Sequence, residues 1–466
     1  MRKRILLGLL TAALTVALTG CGLRAPEELY ALPDPSPEYK SLQSSLESLL
    51  NMGYEYAAPI SGSHTQSVQL EDLDGDGVDE ALAFLRDTSG KEHPLKICIF
   101  KADGEGGYTQ YCTIAGDGDM INSVVYCQLN GTPTKELVVG WRISSTVYVL
   151  SAYSIENGNV TELMTASNYT RYAVKDMDQD NQEEIVSILM NSSDDAGGST
   201  ATYYDWSEDT MKGINSVSLS ANADSLDSVR YHYLTNSYPA LYVTSFLRNN
   251  GSAAQSTSSV VTDVLGVVNK RLSNLTLDPQ SGDSTTVHLA LAEPRDINSD
   301  NVLELPMSLP LRSNGNVEHS EGAYVLNWVQ YALDGAERSV NYTYHNTSDG
   351  WYLILPDDWF TGWDGTCMNG LLVSRSDTNV GATVERSITF YHQGSLGEQP
   401  EPFLAIQKNT GSNRDSRATI GERFLLTQTA DATYSAEFVD SGWSCGLSRR
   451  ELVERFKLIL NDWSVN

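Results

Sequence analysis

The chain has 466 residues, with 60 acidic and 31 basic side chains and a formal net charge of −29. A surface of that sign repels nucleic-acid phosphates and anionic headgroups, which argues against both as partners. The charge favours solubility and leaves the fold open.

Arg2, Lys3 and Arg4 form a positive start, and residues 5–18 an apolar stretch too short to span a bilayer comfortably. Leu18-Thr19-Gly20-Cys21 resembles the lipobox of bacterial lipoproteins. That resemblance implies a signal peptide over 1–21 and a diacylated Cys21 as the new N-terminus. It implies a Gram-positive-type surface lipoprotein, anchored to the cell membrane on its extracytoplasmic face. A plain secretory signal is the alternative. Beyond the lipid no further membrane segment is expected, because no later stretch is apolar and long enough to cross as a helix.

Residues 22–64 read as a tether and one helix. Pro26, Pro33 and Pro35 keep the tether extended. Ser36 is the expected cap, Pro37 opens the first turn, and Leu42, Leu46, Leu49 and Leu50 form one stripe that ends at Gly53. The stripe is expected to pack on the first β unit.

Three acidic stretches follow along the chain. Asp72, Asp74, Asp76 and Glu80 recur as Asp176, Asp178, Asp180 and Glu184, and again as Asp296, Asn298, Asp300 and Glu304. Oxygen side chains thus sit at positions 1, 3, 5 and 9, with an apolar residue at 2 and Gly or Asn at 6. Calcium takes six to eight hard oxygen ligands, and carboxylates at alternate positions of a tight loop converge on one point. Gly or Asn at position 6 tolerates the left-handed backbone of a sharp turn. An EF-hand would need an acid at position 12, where Ala83 and Ser187 stand in the first two copies. A shortened loop followed by a strand resembles the calcium loops of FG-GAP (integrin-type) and VCBS repeats. That resemblance implies a β-propeller over residues 65–345, stabilised by calcium. The third loop, with Asn298 in place of an acid, is expected to bind calcium more weakly.

Aligned on position 9, five units appear, at Glu80, Glu136, Glu184, Ala240 and Glu304, spaced 56, 48, 56 and 64 residues apart. Two of them lack the acidic series. In the second unit four strands are predicted, at 136–141, 147–155, 160–166 and 170–175, with Asn157-Gly158-Asn159 as a hairpin turn. Four strands in about 50 residues match a propeller blade. The strand at 65–70 is a candidate to close the ring. The expectation is a mainly β protein, a propeller of about five four-stranded blades followed by a small α+β domain over 346–466.

That C-terminal stretch holds Trp351, Trp359, Trp363, Trp443 and Trp463. Strands are predicted at 352–355, 387–391, 403–406, 423–427 and 434–438. A terminal helix is predicted, with Ser448 and Glu451 as a capping box and Leu452, Val453, Phe456, Ile459 and Leu460 on one face. Cys98, Cys112, Cys127, Cys367 and Cys445 are an odd set with no zinc spacing. Cys98 with Cys112, or Cys367 with Cys445, could bridge, or all could be free thiols.

No nucleophile elbow, zinc-binding His pair or phosphate loop is present, and the seven histidines are scattered. Asp357 and Asp358 beside Trp359 read as a turn or as half of a carboxylate pair. Trp359 and Trp363 read as core or as a sugar-binding platform. The resulting expectation is a monomeric binding or scaffold protein for a protein, peptide or glycan, with no catalytic residues assigned. The alternative is an extracytoplasmic hydrolase of a glycan or cell-wall polymer.

Overall fold

The computed structural model describes residues 37–90, 92–104, 107–191, 197–248, 259–312, 324–359, 368–394 and 398–459. Cys21, the signal peptide, the tether, Ser36, Trp363, Cys367, Leu460 and Trp463 lie outside the described residues. The protein is mainly β, built from several antiparallel sheets. No described helix is long and apolar enough to cross a membrane. The chain divides into two compact units, one comprising the described residues of Met1–Ile121 with Glu156–Val160, the other Asn122–Ile155 with Thr161–Asn466.

In the first unit, helix α1 (Pro37–Asn51) precedes strands β1 (Tyr54–Tyr56), β2 (Val68–Glu71), β3 (Glu80–Asp87), β4 (Leu95–Ala102) and β5 (Tyr108–Gly116). Gly53, with φ of +98°, turns the chain out of the helix. Leu42 and Leu46 pack on Ala81, Ala83, Leu85 and Phe100, as the apolar stripe requires. Strand β3 pairs with β4 along one edge and with β2 and β1 in succession along the other. The strand expected to close a ring is therefore β2, and it pairs with its immediate successor across the first acidic loop. A short loop makes that local hairpin the cheaper pairing.

The remaining sheets repeat one plan. The second sheet orders β6 (Met120–Cys127), β7 (Glu136–Arg142), β8 (Tyr148–Glu156) and β9 (Asn159–Asn168). The third orders β10 (Arg171–Lys175), β11 (Glu184–Leu189), β12 (Thr200–Ser207) and β13 (Thr210–Ser218). The fourth orders β14 (Ala223–Tyr233), β15 (Pro239–Leu247), β16 (Ser259–Val268) and β17 (Arg271–Asn274), with β18 (Val287–Leu289) also on β16. The predicted strand at 170–175 thus belongs to the third sheet, not the second. Each sheet starts one strand earlier than the sequence grouping, with the strand that enters the turn. The hairpin at Asn157 and Gly158 forms as expected, both residues at positive φ.

The central strands are buried on both faces, and alternate side chains enter different cores. On β11, Ile185 packs with Val138 and Leu150 of the second sheet, while Val186 and Ile188 pack with Leu241 and Val243 of the fourth. On β15, Leu241 and Val243 face the third sheet, while Ala240 and Tyr242 pack with Leu305, Val329 and Tyr331 of the next. Sheets two to five are therefore stacked face to face in sequence order. Gly140 lies where a Cβ would fall 2.2 Å from the Tyr169 hydroxyl, so only glycine fits there.

The last sheet is ten-stranded. It carries β19 (Leu305–Arg312), β20 (Tyr324–Tyr331), β21 (Glu337–Asn346) and β22 (Trp351–Leu355), then β23 (Met368–Val380), β24 (Thr383–His392), β25 (Glu401–Gly411), β26 (Phe424–Gln428) and β27 (Ala432–Phe438). β22 pairs with β21 on one side and with the strand at Phe456–Leu458 on the other. A parallel pairing of β19 with β23 joins the two halves. Two short helices, α2 (Arg414–Arg417) and α3 (Arg449–Arg455), complete this region. The Ser448–Glu451 capping box forms. The helix nevertheless stops at Arg455, because Phe456 begins β28 (Phe456–Leu458), which pairs with β22 and buries Phe456 beside Trp351.

Candidate metal centres

The position-9 glutamate is the most regular feature of the repeats. Glu80, Glu136, Glu184 and Glu304 are all at most 2% exposed. In each, one carboxylate oxygen accepts from the backbone N–H seven residues earlier. The distances are 2.9 Å from Leu73, 2.8 Å from Leu129, 2.7 Å from Met177 and 2.8 Å from Ile297. The carboxylate closes the turn that links two strands. Glu136 does this in a turn without the acidic series, so the bond belongs to the fold rather than to metal binding. Where Ala240 replaces the glutamate, the Leu234 N–H donates to the Tyr238 carbonyl at 2.8 Å.

The position-1 aspartates shape the three acidic loops. Asp72 accepts from the N–H groups of Gly75 and Gly77, Asp176 from those of Gln179 and Asn181, and Asp296 from those of Asp300 and Asn301. Position 6 is left-handed as expected, at Gly77, Asn181 and Asn301. Position 4 is left-handed too, at Gly75, Gln179 and Ser299, which the spacing alone did not reveal.

Each loop brings its acids together. Asp72, Asp74 and Glu80 form one group, Asp176, Asp178, Asp180 and Glu184 a second, and Asp296, Asp300 and Glu304 a third. Within each group, one carboxylate oxygen per residue lies within 4.8 Å of the others. Asp76 instead faces the Lys101 ammonium at 3.2 Å. Asn298 accepts from the Asp300 N–H and donates to the Asp300 carboxylate, so it is engaged inside its own loop.

The three groups differ in what stands across the sheet from the glutamate. Ala81 pairs with Phe100, which puts Lys101 beside Glu80. The Lys101 ammonium bonds Asp74 and lies 3.6 Å from Glu80. Leu305 pairs with Val329, which puts Gln330 beside Glu304. Its amide donates to Glu304 at 2.6 Å and to Asp300 at 2.7 Å, while Arg338 holds its carbonyl at 2.8 Å. Ile185 pairs with Tyr204, so Glu184 is faced by Asp205, a further carboxylate. These cross-strand residues lie outside every motif, and no local signal marks them.

The electrostatics follow. Burial raises Glu184 to about 8, and the charges of Asp178, Asp180 and Asp205 add to it. Burial also raises Asp178, again with Asp180 and Asp205 behind it. Glu304 is raised by burial to about 7, against the Ile297 N–H and the Gln330 amide. Glu80 is raised by burial, against the Leu73 N–H and Lys101. At the first loop Glu80 Oε1 lacks a hydrogen bond but lies 3.6 Å from the Lys101 ammonium; at the second, Glu184 Oε1 and Asp178 Oδ1 are buried without a hydrogen-bond partner. Two orphaned carboxylate oxygens among several hard oxygen donors fit a divalent ion of the calcium type. Asp178 and Asp180 also line a cavity of about 310 Å³, with Tyr238 and Lys270 on its other walls.

The other candidates resolve differently. Trp359 is buried, and its indole N–H donates to the Cys445 carbonyl at 2.9 Å, so it is core. Asp357 and Asp358 are exposed on the turn before it. Cys98, Cys112, Cys127 and Cys445 are free thiols. Cys98 pairs in register with Thr113 and Cys112 with Ile99, so the two thiols of that hairpin belong to successive pairs and do not face each other.

No family model and no curated protein matches the chain. Among solved structures, it is similar to a mannose phosphorylase from Leishmania mexicana in complex with phosphate ion. Identity is 11% and the TM-score 0.21, over 65% of this chain and 92% of that one. It is also similar to an exo-β-1,3-galactanase variant from Phanerochaete chrysosporium with β-1,3-galactotriose. Identity is 11% and the TM-score 0.22, over 77% of this chain and 82% of that one. At these TM-scores the likenesses bear on neither the architecture nor the activity of this chain.

Proposed function

We propose that the chain is a lipid-anchored, calcium-stabilised repeat protein on the extracytoplasmic face of a cell membrane, and that it binds or scaffolds a protein, peptide or glycan. In this reading the stacked sheets are the blades of a propeller of about five blades, with the C-terminal strands as an appended module. The observation that carries it is the recurring turn. The same buried glutamate closes four of five repeats, and acidic loops lead into central strands of the third and fifth sheets. Asp176, Asp178, Asp180 and Glu184 would hold the ion, which would supply the positive charge that their buried oxygens lack. In a propeller the turns between strands would present a wide face for a ligand.

Chelation tests the metal. EDTA should lower the melting temperature by several degrees, and calcium should restore it. No shift, with no calcium found by elemental analysis, removes the claim. The anchor is tested by Cys21→Ser, which should move the protein from the membrane pellet to the supernatant. Pull-downs from solubilised membranes, with and without calcium, then separate protein partners from glycans.

One observation favours the hydrolase reading. Asp178 and Glu184, both with raised pKa values, stand together, and Asp178 borders a cavity. Turnover of a glycan panel that persists in EDTA and is lost in Asp178→Asn would support it. Absence of turnover under both conditions would leave the binding reading alone.

A further inference from the structure

We infer that the chain takes one divalent ion rather than three, at the second loop, and that Lys101 and Gln330 are its built-in substitutes at the first and third. This rests on the metal reading above and narrows it. The three loops share their backbone course, their position-1 aspartate bonds and their buried glutamate. They differ in the residue that β-sheet register places across from that glutamate.

At the first loop that residue is a cation. The Lys101 ammonium bonds Asp74 and lies 3.2 Å from Asp76 and 3.6 Å from Glu80. It reaches three of the four acidic positions. A divalent ion entering there would have to expel a like charge that already has its counterions. At the third loop the residue is a donor. Gln330 turns its NH2 group toward Asp300 and Glu304, and Arg338 fixes that orientation by holding the amide oxygen. An incoming cation would meet N–H hydrogens, not lone pairs.

At the second loop neither substitute exists. Asp205 adds negative charge, felt by both Glu184 and Asp178. Glu184 is 1% exposed, and neither its Oε1 nor Asp178 Oδ1 has a hydrogen-bond partner; Glu80 Oε1 at the first loop also lacks a hydrogen bond, but there the Lys101 ammonium stands 3.6 Å away. A buried carboxylate oxygen without a donor costs free energy that a metal bond removes. Lys270, on the cavity wall, acts on Asp178 and Asp205 through its charge but, among the described residues, forms no ion pair with the four acids, whereas Lys101 pairs with Asp74, Asp76 and Glu80. The single open position in the repeat series is therefore the one whose cross-strand partner is acidic.

The test is ion stoichiometry, measured on the full chain by equilibrium dialysis against calcium and elemental analysis. Wild type should hold one ion per chain. Asp178→Asn should hold none, and Asp74→Asn should still hold one. Lys101→Met, which removes the ammonium, should raise the count to two, and Gln330→Glu should do the same at the third loop. Circular dichroism and elution volume identify any variant that fails to fold; Asp205→Asn, expected to weaken binding by several-fold, then replaces Asp178→Asn. Three ions in wild type, or one ion that survives Asp178→Asn and disappears in Asp74→Asn, overturns this inference while leaving the metal reading intact. No ion in wild type under any condition overturns the metal reading itself.

Discussion

The bond from the position-9 glutamate to the turn is best tested where no acidic cluster confuses the outcome, at Glu136. Its carboxylate is 1% exposed and accepts from the Leu129 N–H at 2.8 Å and from the Asn130 amide at 2.7 Å. Replacing it by alanine removes two charge-assisted bonds and leaves the Leu129 N–H buried and unmatched. A hydrogen bond to a charged group contributes roughly 1.5–3 kcal/mol, and an orphaned buried donor costs roughly 1–3 kcal/mol. The lost desolvation cost of the carboxylate offsets part of this, so Glu136→Ala should destabilise by about 3 kcal/mol. Glu136→Gln keeps an acceptor for Leu129 and should cost about 1 kcal/mol. In urea unfolding followed by circular dichroism, a slope of about 3 kcal/mol/M makes the alanine shift about 1 M in midpoint with an unchanged slope. If Glu136→Ala unfolds at the wild-type midpoint, burial of the carboxylate cancels its bonds. The turn would then be held by something else, as in the repeat that carries Ala240.

Three further outcomes follow from the structure. Glu184 is raised from 4.5 to about 8, so without metal its protonated form favours the fold and that contribution is lost as pH rises through the window; calcium takes the proton's place, so the melting-temperature gap between calcium and EDTA should widen from pH 5 to pH 8, and a constant gap would refute this. His345 is buried and lowered to about 3, stacked on Tyr352 at 4.9 Å, so its neutral form stabilises the fold fully above pH 6.5 and progressively less as pH falls toward 3. His345→Phe should flatten the acid limb of an unfolding free-energy profile against pH by as much as about 1.4 kcal/mol per pH unit, and an unchanged limb would exclude His345 as its source. Trp359→Ala should cost about 3–5 kcal/mol, since the ring is buried against Phe390 and Phe403; full stability with reduced glycan binding would restore the platform reading.

What could be read in the sequence, and what could not, divides along a physical line. The oxygen spacing, the turn residues and the capping box are local, and each appears where its pattern stands. Asn157-Gly158 makes the expected hairpin because both residues tolerate positive φ. Phe456, however, continues a helical stripe in sequence and leaves the helix in the structure, since pairing with Leu353 and packing on Trp351 outweigh one more turn of a seven-residue helix. The strand grouping slipped by one for a related reason: a turn marks where two strands meet, not which of them starts a sheet. The same limit applies at the metal loops. Lys101, Asp205 and Gln330 each lie 21 to 26 residues past the glutamate they face, and hairpin register alone brings them there. Three loops that look equivalent as motifs therefore differ in charge by the identity of one residue that no motif contains. A count of acidic ligands ranks the first two loops as equals; the register separates them, because one carries its own cation and the other faces a further acid.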